Sequence, residues 1–323
     1  MPWTNVSLVL NSRDRVSGSR YNASRYNALG QNIIQGQIHS VSVNEINFPY
    51  DIPNIQAGPQ YDGGSGGIYN TFQLESQGAA GVLTIVIPPG FYSGTELESA
   101  INTDIGIEAV AAGITAADAP TVSYDSVSNR YSFLAPVNAG PGNTNATWFV
   151  YSPYTYPPGT QQSNNIGKDI LSIMGFSILQ GVSAGQNFVS SEPGVNNRPV
   201  FAAAAAAPLV FTQYIDICSP LLCQYQFFRD GSTTNLARRS DVVCRLYVSN
   251  NVATQEEEGS RPFVIHRQFN NARVMRWSAE SAIGQLDINL FDDCGTPLTT
   301  TWEPRPFQIT FNAYEQDKDS ITY

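Results

Sequence analysis

Lysine is almost missing from this chain of 323 residues: Lys168 and Lys318 stand alone beside 15 arginines. Charged residues of all kinds make up 14% of the sequence, against roughly a quarter in ordinary globular domains. A freely dispersed monomer keeps a charged surface, so this shortage implies an exterior that is covered by neighbours. Loss of Lys with Tyr, Phe and Arg retained is the composition of protein interfaces. Histidine is equally scarce. His39 and His266 are the only imidazoles, and both fall in strand-like alternation, which leaves little for general acid–base chemistry. Cys218, Cys223, Cys244 and Cys294 form no C-x-x-C pair and have no neighbouring histidine, which argues against zinc. With no secretory signal in MPWTNVSLVLNSRDR, they are expected to be free thiols. The sequons at Asn5, Asn22 and Asn145 carry little weight for the same reason. No run of 18 apolar residues occurs, so no membrane-spanning helix is expected.

What the chain has in abundance is alternation with period two. Val6, Leu8 and Leu10 alternate with polar residues, as do Leu286, Ile288 and Leu290, and Phe307, Ile309 and Phe311. Val242, Cys244, Leu246 and Val248 make another set, and Leu209, Phe211, Ile215 and Ile217 a further one. Each set reads as a strand with one buried face. Segment 37–48 changes phase, with Val41 and Val43 odd but Ile46 and Phe48 even; a bulge or bend reconciles the two. Gly- and Pro-rich joints separate the strands, as in sandwiches and barrels.

Helical signals are confined to the middle. In PPGFYSGTELESAIN, Ser93 and Glu96 have capping-box spacing, Tyr92 and Leu97 the spacing of a hydrophobic staple, and Leu97, Ala100, Ile101 and Ile105 share a face. A phosphate-binding turn would need a Gly-rich loop with Lys and free first-turn amides, so this start reads as structural. IGKDILSIMGF gives a second helix, stopped by Gly175. Between them TVSYDSVSNRYSF reads as a hairpin turning at Ser126–Asn129. Helix and strand thus mix between about 80 and 180 while both flanks are strand, which suggests an α+β unit inserted in a β framework. GVNNRPVFAAAAAAP, Gly194 to Pro208, is expected to be the small-residue connector back.

Motifs for chemistry do not hold up. GGSGG at Gly63–Gly67 matches G-x-S-x-G around Ser65, but no apolar strand precedes it and no helix follows, as a nucleophile elbow requires. Asp292-Asp293-Cys294-Gly295 reads as a hairpin turn rather than a cation site, and Glu256–Glu258 as a solvated loop. No catalytic residue, cofactor or metal site is expected. Net charge is −10 and pI about 4.6, which argues against a nucleic-acid-binding body. Residues 1–30 are the exception: Arg13, Arg15, Arg20 and Arg25 face Asp14 alone, giving +3 and leaving −13 elsewhere.

Several phrases in order carry a family resemblance. LVLNSRDRVSGSRYNASRYNA, VNEINFPYDIPNI and YNTFQL near the start, TIVIPPGFYSGTELESAIN, TVSYDSVSNRYSF and DILSIMGF in the middle, and YIDICSPLL and IGQLDINLFDDCGTPL toward the end resemble vertex (penton) and minor capsid proteins of virophages, polinton-like viruses and large eukaryotic DNA viruses. One departure is Ser93-Gly94, where that group's pattern has a non-glycine second residue. The resemblance implies a mainly β, jelly-roll capsid protein of the virion, without catalysis, pentameric at icosahedral vertices. Its partners would be itself, the major capsid protein and other capsid proteins.

The reading is then a jelly-roll β-sandwich from about 1–78 and 206–323, with an α+β insertion near 79–205. One alternative is a minor (cement) capsid protein under the major shell. Another is a receptor- or glycan-binding head, which the loop WFVYSPYTYPPG would suit; a hydrolase rests on Ser65 alone. Segment 11–33, basic and without alternation, is expected to be an arm that is mobile in the isolated protein. In a ring of acidic subunits its Arg13, Arg15, Arg20 and Arg25 would clamp a neighbouring subunit; contact with the packaged genome, or a merely solvated loop, are the other readings.

Overall fold

The computed structural model describes residues 3–19, 21, 24–27, 37–58, 67, 69–76, 82–115, 119–135, 148–152, 168–176, 186–187, 200–223, 241–248, 262–270, 272–276, 284–293, 295, 297–298 and 305–316. In chain order its elements are β1 (Trp3–Asn11), β2 (Ser24–Asn27), β3 (Gln37–Tyr50), β4 (Thr71–Ser76), β5 (Val82–Val86), α1 (Gly94–Ala111), β6 (Thr121–Asp125), β7 (Arg130–Leu134) and β8 (Trp148–Tyr151). Then follow α2 (Ile170–Ile173), β9 (Gln186–Asn187), β10 (Val200–Ala202), β11 (Tyr214–Cys218), α3 (Pro220–Cys223), β12 (Val242–Tyr247), β13 (Phe263–Gln268), β14 (Val274–Arg276), β15 (Gln285–Phe291) and β16 (Gln308–Gln316). They divide into two compact units, Met1–Ile52 with Thr212–Ser249 and Pro262–Tyr323, and Pro53–Phe211 with Asn250–Arg261.

The first unit is a sandwich. One sheet runs β1-β16-β3-β13, with β14 also beside β3; the other runs β12-β11-β15-β2. The antiparallel pairings are nested: β1 with β16, β2 with β15, β3 with β13 and β14, β11 with β12. Successive strands alternate between the sheets except at β11–β12 and at β13–β14, which lie one after the other along β3. A long hairpin rolled up in this way is a jelly roll. The alternating residues turn Ile46, Phe48, Ile309 and Phe311 inward from one sheet and Ile215, Ile217, Leu286 and Ile288 from the other. The phase change in β3 is a bulge: Thr310 pairs with Glu45 but Phe311 with Val43, so Asn44 is the extra, exposed residue. Its carbonyl is reused by the amide of Phe269 at 2.9 Å.

Two expectations are corrected here. Asp292–Gly295 is not a hairpin turn between β15 and β16, which lie in different sheets. It is a local reversal in which the Gly295 amide donates to the Asp292 carbonyl at 2.9 Å and Pro297 bridges back to Phe291. The described part of segment 11–33 is folded rather than a free arm. Tyr21 is 1% exposed; its ring lies 5.7 Å from Phe48 and 6.4 Å from Phe307, its hydroxyl donates to Asp51 at 2.7 Å, and its carbonyl accepts from Leu290 at 2.8 Å. Ser12, Ser24 and Tyr26 are buried as well. Partners this distant in sequence leave no local periodicity, which is why the segment reads as unstructured.

The second unit holds the sheets β5-β4-β8-β9 and β10-β7-β6. Residue 79 falls between the paired strands β4 and β5 and residue 205 inside the connector, so the compact unit is wider than 79–205. The capping box of α1 is formed: the Ser93 amide donates to Glu96 Oε2 at 2.8 Å and the Glu96 amide to Ser93 Oγ at 3.3 Å. Leu97, Ile101, Ile105 and Ala109 are its buried face. The hairpin β6–β7 turns at 126–129, with Asn129 at φ +52°. The alanine connector lies across this hairpin and α2: Ala203, Ala205 and Ala207 donate to the carbonyls of Tyr131, Gly175 and Asn129 at 2.8, 3.2 and 2.7 Å. Small side chains allow that approach. Asn54 gathers both ends of the unit, donating to the Tyr92 and Leu209 carbonyls at 2.7 and 3.2 Å and accepting from the Tyr92 amide at 2.9 Å.

Ser93→Ala should cost about 1 kcal/mol through loss of the cap. Gly175→Ala should cost more, about 1–3 kcal/mol, because Gly175 has φ +88° and an added Cβ would sit 2.4 Å from the Ala205 carbonyl oxygen. Urea denaturation of the two variants tests that ranking; the opposite order would contradict the close approach.

Candidate functional site

With no catalytic set in the sequence, the site to examine is the surface. Of the four arginines expected to clamp a neighbour, Arg13, Arg15 and Arg25 are among the described residues. A 3-10 turn at Ser12–Asp14 follows β1, capped by Asn11 Oδ1 accepting the Arg13 amide at 2.9 Å. Ser12 pins it to the residue just before β16, its amide donating to the Phe307 carbonyl at 2.9 Å and its Oγ accepting the Phe307 amide at 2.9 Å. Arg15 serves this loop: Nη1 donates to the Ser12 carbonyl at 3.0 Å and Nε to the Gly18 carbonyl at 3.1 Å. Burial pushes the nearby Tyr26 phenol up to about 12, opposed by a Ser24 hydrogen bond and the Arg15 charge. Arg13 and Arg25 are exposed, and Arg20 lies outside the described residues. Arg25 sits on β2, whose outer edge is covered by residues 16–17: the Val16 amide donates to Arg25 and the Arg25 amide to Ser17, at 2.7 and 3.1 Å.

A second polar group, missed in the sequence, lies on the outer face of β11 and β12. Arg245 grips Asp216 with two bonds, Nε to Oδ1 at 2.6 Å and Nη2 to Oδ2 at 2.8 Å. Its guanidinium lies 3.8 Å from the Tyr214 ring centre, and Tyr214 meets Tyr247 edge-on at 6.1 Å. Donation of two hydrogen bonds to Asp216 holds the guanidinium proton more firmly than in a free arginine. The Tyr214 hydroxyl donates to the Asp293 carbonyl at 3.1 Å, and Asp293 Oδ2 accepts the Gln213 amide at 2.9 Å. Planar, forked and stacked, such an arginine is pre-organised for contact. Asp216 and Arg245 opposite one another in two alternating strands were the available signal.

His266 Nε2 meets Glu45 Oε1 at 2.5 Å on an exposed sheet face. His39 lies in β3. Cys218 and Cys223 are buried thiols and Cys244 a half-buried one; burial pushes Cys223 up to about 11 and raises Cys244 as well, the reverse of a reactive thiolate. Ser65, Cys294 and Glu256–Glu258 lie outside the described residues. Among the described residues no three His, Cys, Asp or Glu side chains are grouped to hold a metal, and no helix is long and apolar enough to cross a membrane. At the start of α1, Gly94 makes room for an aromatic ring rather than an anion: a Cβ there would lie 2.2 Å from Tyr124.

A jelly roll whose third and fourth strands are joined by a separate α+β unit defines the class by fold. Among solved structures, the mavirus penton protein, in a selenomethionine crystal form, matches 96% of this chain and 99% of its own at a TM-score of 0.51 and 11% identity. A chain from the cryo-EM structure of the Sputnik virophage matches 99% of each at a TM-score of 0.48 and 14% identity. No protein-family model and no curated protein sequence matches. The chain therefore has the fold of the mavirus penton protein over nearly its whole length, the jelly roll with an α+β insertion that its sequence suggests.

The arginines should separate in a melting experiment. Arg15→Ser should cost about 1 kcal/mol by leaving two loop carbonyls unpaired, a shift of about 2–4 °C. The pair Arg13→Ser with Arg25→Ser should leave the melting temperature nearly unchanged. Equal shifts for both variants would contradict the described role of Arg15.

Proposed function

We propose that this chain is a structural capsid protein of a virion, the penton subunit that forms pentamers at icosahedral vertices. The observation that carries the reading is the full-length match, in both directions, between this jelly roll with its insertion and the mavirus penton protein. The charge-poor composition supports it, since a subunit enclosed in a shell needs less charged surface. Its partners are other copies of itself, the major capsid protein and other capsid proteins, and its work requires no nucleophile or cofactor. Arg13, Arg20 and Arg25 are assembly contacts in this proposal, while Arg15 holds the loop between Ser12 and Gly18. Exposed arginines on an acidic partner act through screened attraction.

The test is the mass of the purified chain in solution. Sedimentation at low salt should give a discrete pentamer that loosens as salt rises. Changing Arg13, Arg20 and Arg25 to Ser should weaken the ring without lowering the melting temperature. A stable monomer or trimer at every concentration would favour a binding head and count against the penton. A position beneath the major shell in a particle reconstruction would make it a cement protein.

A further inference from the structure

The polar group on the outer face of β11 and β12 comes from two adjacent rungs of one ladder. Tyr214 stands opposite Tyr247, and Asp216 opposite Arg245, so two rings and an ion pair lie side by side. The Arg245 guanidinium is held from three directions. Asp216 takes Nε and Nη2, the Tyr214 ring centre is 3.8 Å away, and the Tyr247 hydroxyl hydrogen-bonds it as well. Exposed ion pairs contribute little to folding, so stability alone does not call for a side chain fixed this thoroughly.

What stays accessible is specific. Tyr247 is 55% exposed. The Arg245 side chain keeps 39% of its surface and Asp216 13%. A guanidinium has more N–H groups than Asp216 and Tyr247 occupy, and a carboxylate has more lone pairs than Arg245 uses. The group therefore offers a donor, an acceptor and an aromatic ring within a few ångströms, all set in place beforehand. Its charge is already spent within the pair. An anion would have to displace Asp216 from the fork, and a cation would meet the guanidinium. Nucleic acid is disfavoured further by a net −13 outside residues 1–30. A neutral ligand remains. An adjacent donor and acceptor match two neighbouring hydroxyls, since each hydroxyl both donates and accepts. An exposed tyrosine ring matches an apolar ring face. A pyranose sugar carries both features.

We propose that Tyr247, Arg245 and Asp216 form a binding site for a neutral hexopyranoside. The sugar ring stacks on Tyr247, one hydroxyl donates to Asp216, and its neighbour accepts from Arg245. Tyr214 is a positioning residue: its ring carries the guanidinium, and its hydroxyl donates to the Asp293 carbonyl at 3.1 Å. The site goes beyond the vertex reading and does not require a ring of subunits. An open sheet face surrounds less of a ligand than an enclosed pocket does, so a single sugar binds weakly, at roughly millimolar Kd. Side chains fixed in advance keep the ordering cost low.

Saturation-transfer NMR on the full chain tests this with the methyl galacto-, gluco- and mannopyranosides, and with methyl N-acetylneuraminoside as the anionic contrast. At least one neutral sugar should give a saturable signal, and the anionic sugar a weaker one or none. Tyr247→Ala should weaken that binding by about tenfold or more, whereas Tyr247→Phe keeps the ring and should stay within a few-fold. Arg245→Lys loses the fork, and Asp216→Asn puts a donor where an acceptor stood; each should weaken binding as Tyr247→Ala does. Melting curves recorded alongside separate loss of the site from loss of the fold, and the two Tyr247 variants decide the matter if the ion-pair variants do not fold. Silence from all three neutral sugars, tighter binding of the anionic one, or unchanged binding in Tyr247→Ala would each overturn the inference. None of these outcomes touches the sedimentation result, on which the vertex reading stands or falls separately.

Discussion

The pairing of β1 with β16 is the contact on which the rest of the roll depends. It aligns Trp3 with Gln316 through Asn11 with Gln308, joining strands about as far apart in sequence as the chain allows. Everything inside it is nested: β2 finds β15, β3 finds β13 and β14, and β11 finds β12. In a nested roll the connections between successive strands can be lengthened without entering any ladder, and one of them is the link between β3 and β11, next to the innermost pair β11–β12. The inserted unit occupies it, and Asn54 fastens the incoming chain to the outgoing one beside the start of α1. Loop-closure entropy grows only slowly with length, so the roll tolerates an excursion of this size.

Local signals in the sequence were reliable wherever a structure answers to its own neighbours. The change of phase between Val43 and Ile46 reads as a bulge, and the structure places the extra residue at Asn44. The Ser93–Glu96 box, the hairpin at 126–129 and the Gly175 stop are equally local, and each is present. Leu209 and Phe211 alternate with β11 but precede it, because Leu209 has φ +48° and breaks the extended run. Tyr21 escaped the reading because its partners, Phe48, Asp51, Leu290 and Phe307, come from distant segments. β4 alternates like any flank strand, and periodicity does not say which strand it pairs with. That is why the compact unit begins at Pro53, ahead of the expected 79.

The surface was legible in composition but not in position. Scarce lysine pointed to covered faces, yet the four arginines near the start were read as one device. Among the described ones, Arg15 is held by the carbonyls of Ser12 and Gly18, whereas Arg13 and Arg25 are exposed. Nothing in the spacing of Asp216 and Arg245 marks them as partners until β11 is laid against β12. Tyr214 then supplies the ring on which the guanidinium rests. Fixing a long side chain before contact lowers the entropy lost when it is covered.

Edge chemistry links the roll to this composition. Open sheets must hide or defend the backbone groups on their outer strands, and only a fully closed barrel has no edges. A two-sheet roll keeps one edge at each end of each sheet. In this chain residues 16–17 cover β2 from within, which leaves β1, β12, β13 and β14 as the outer strands. Lysine would be the inexpensive defence for a protein that works alone. Valine and tyrosine at those positions carry the opposite liability: each exposed edge favours association. Arg267 on β13 and Arg276 on β14, both exposed, supply part of that defence where lysine does not, so the outer strands of this sandwich mix charge with single apolar residues.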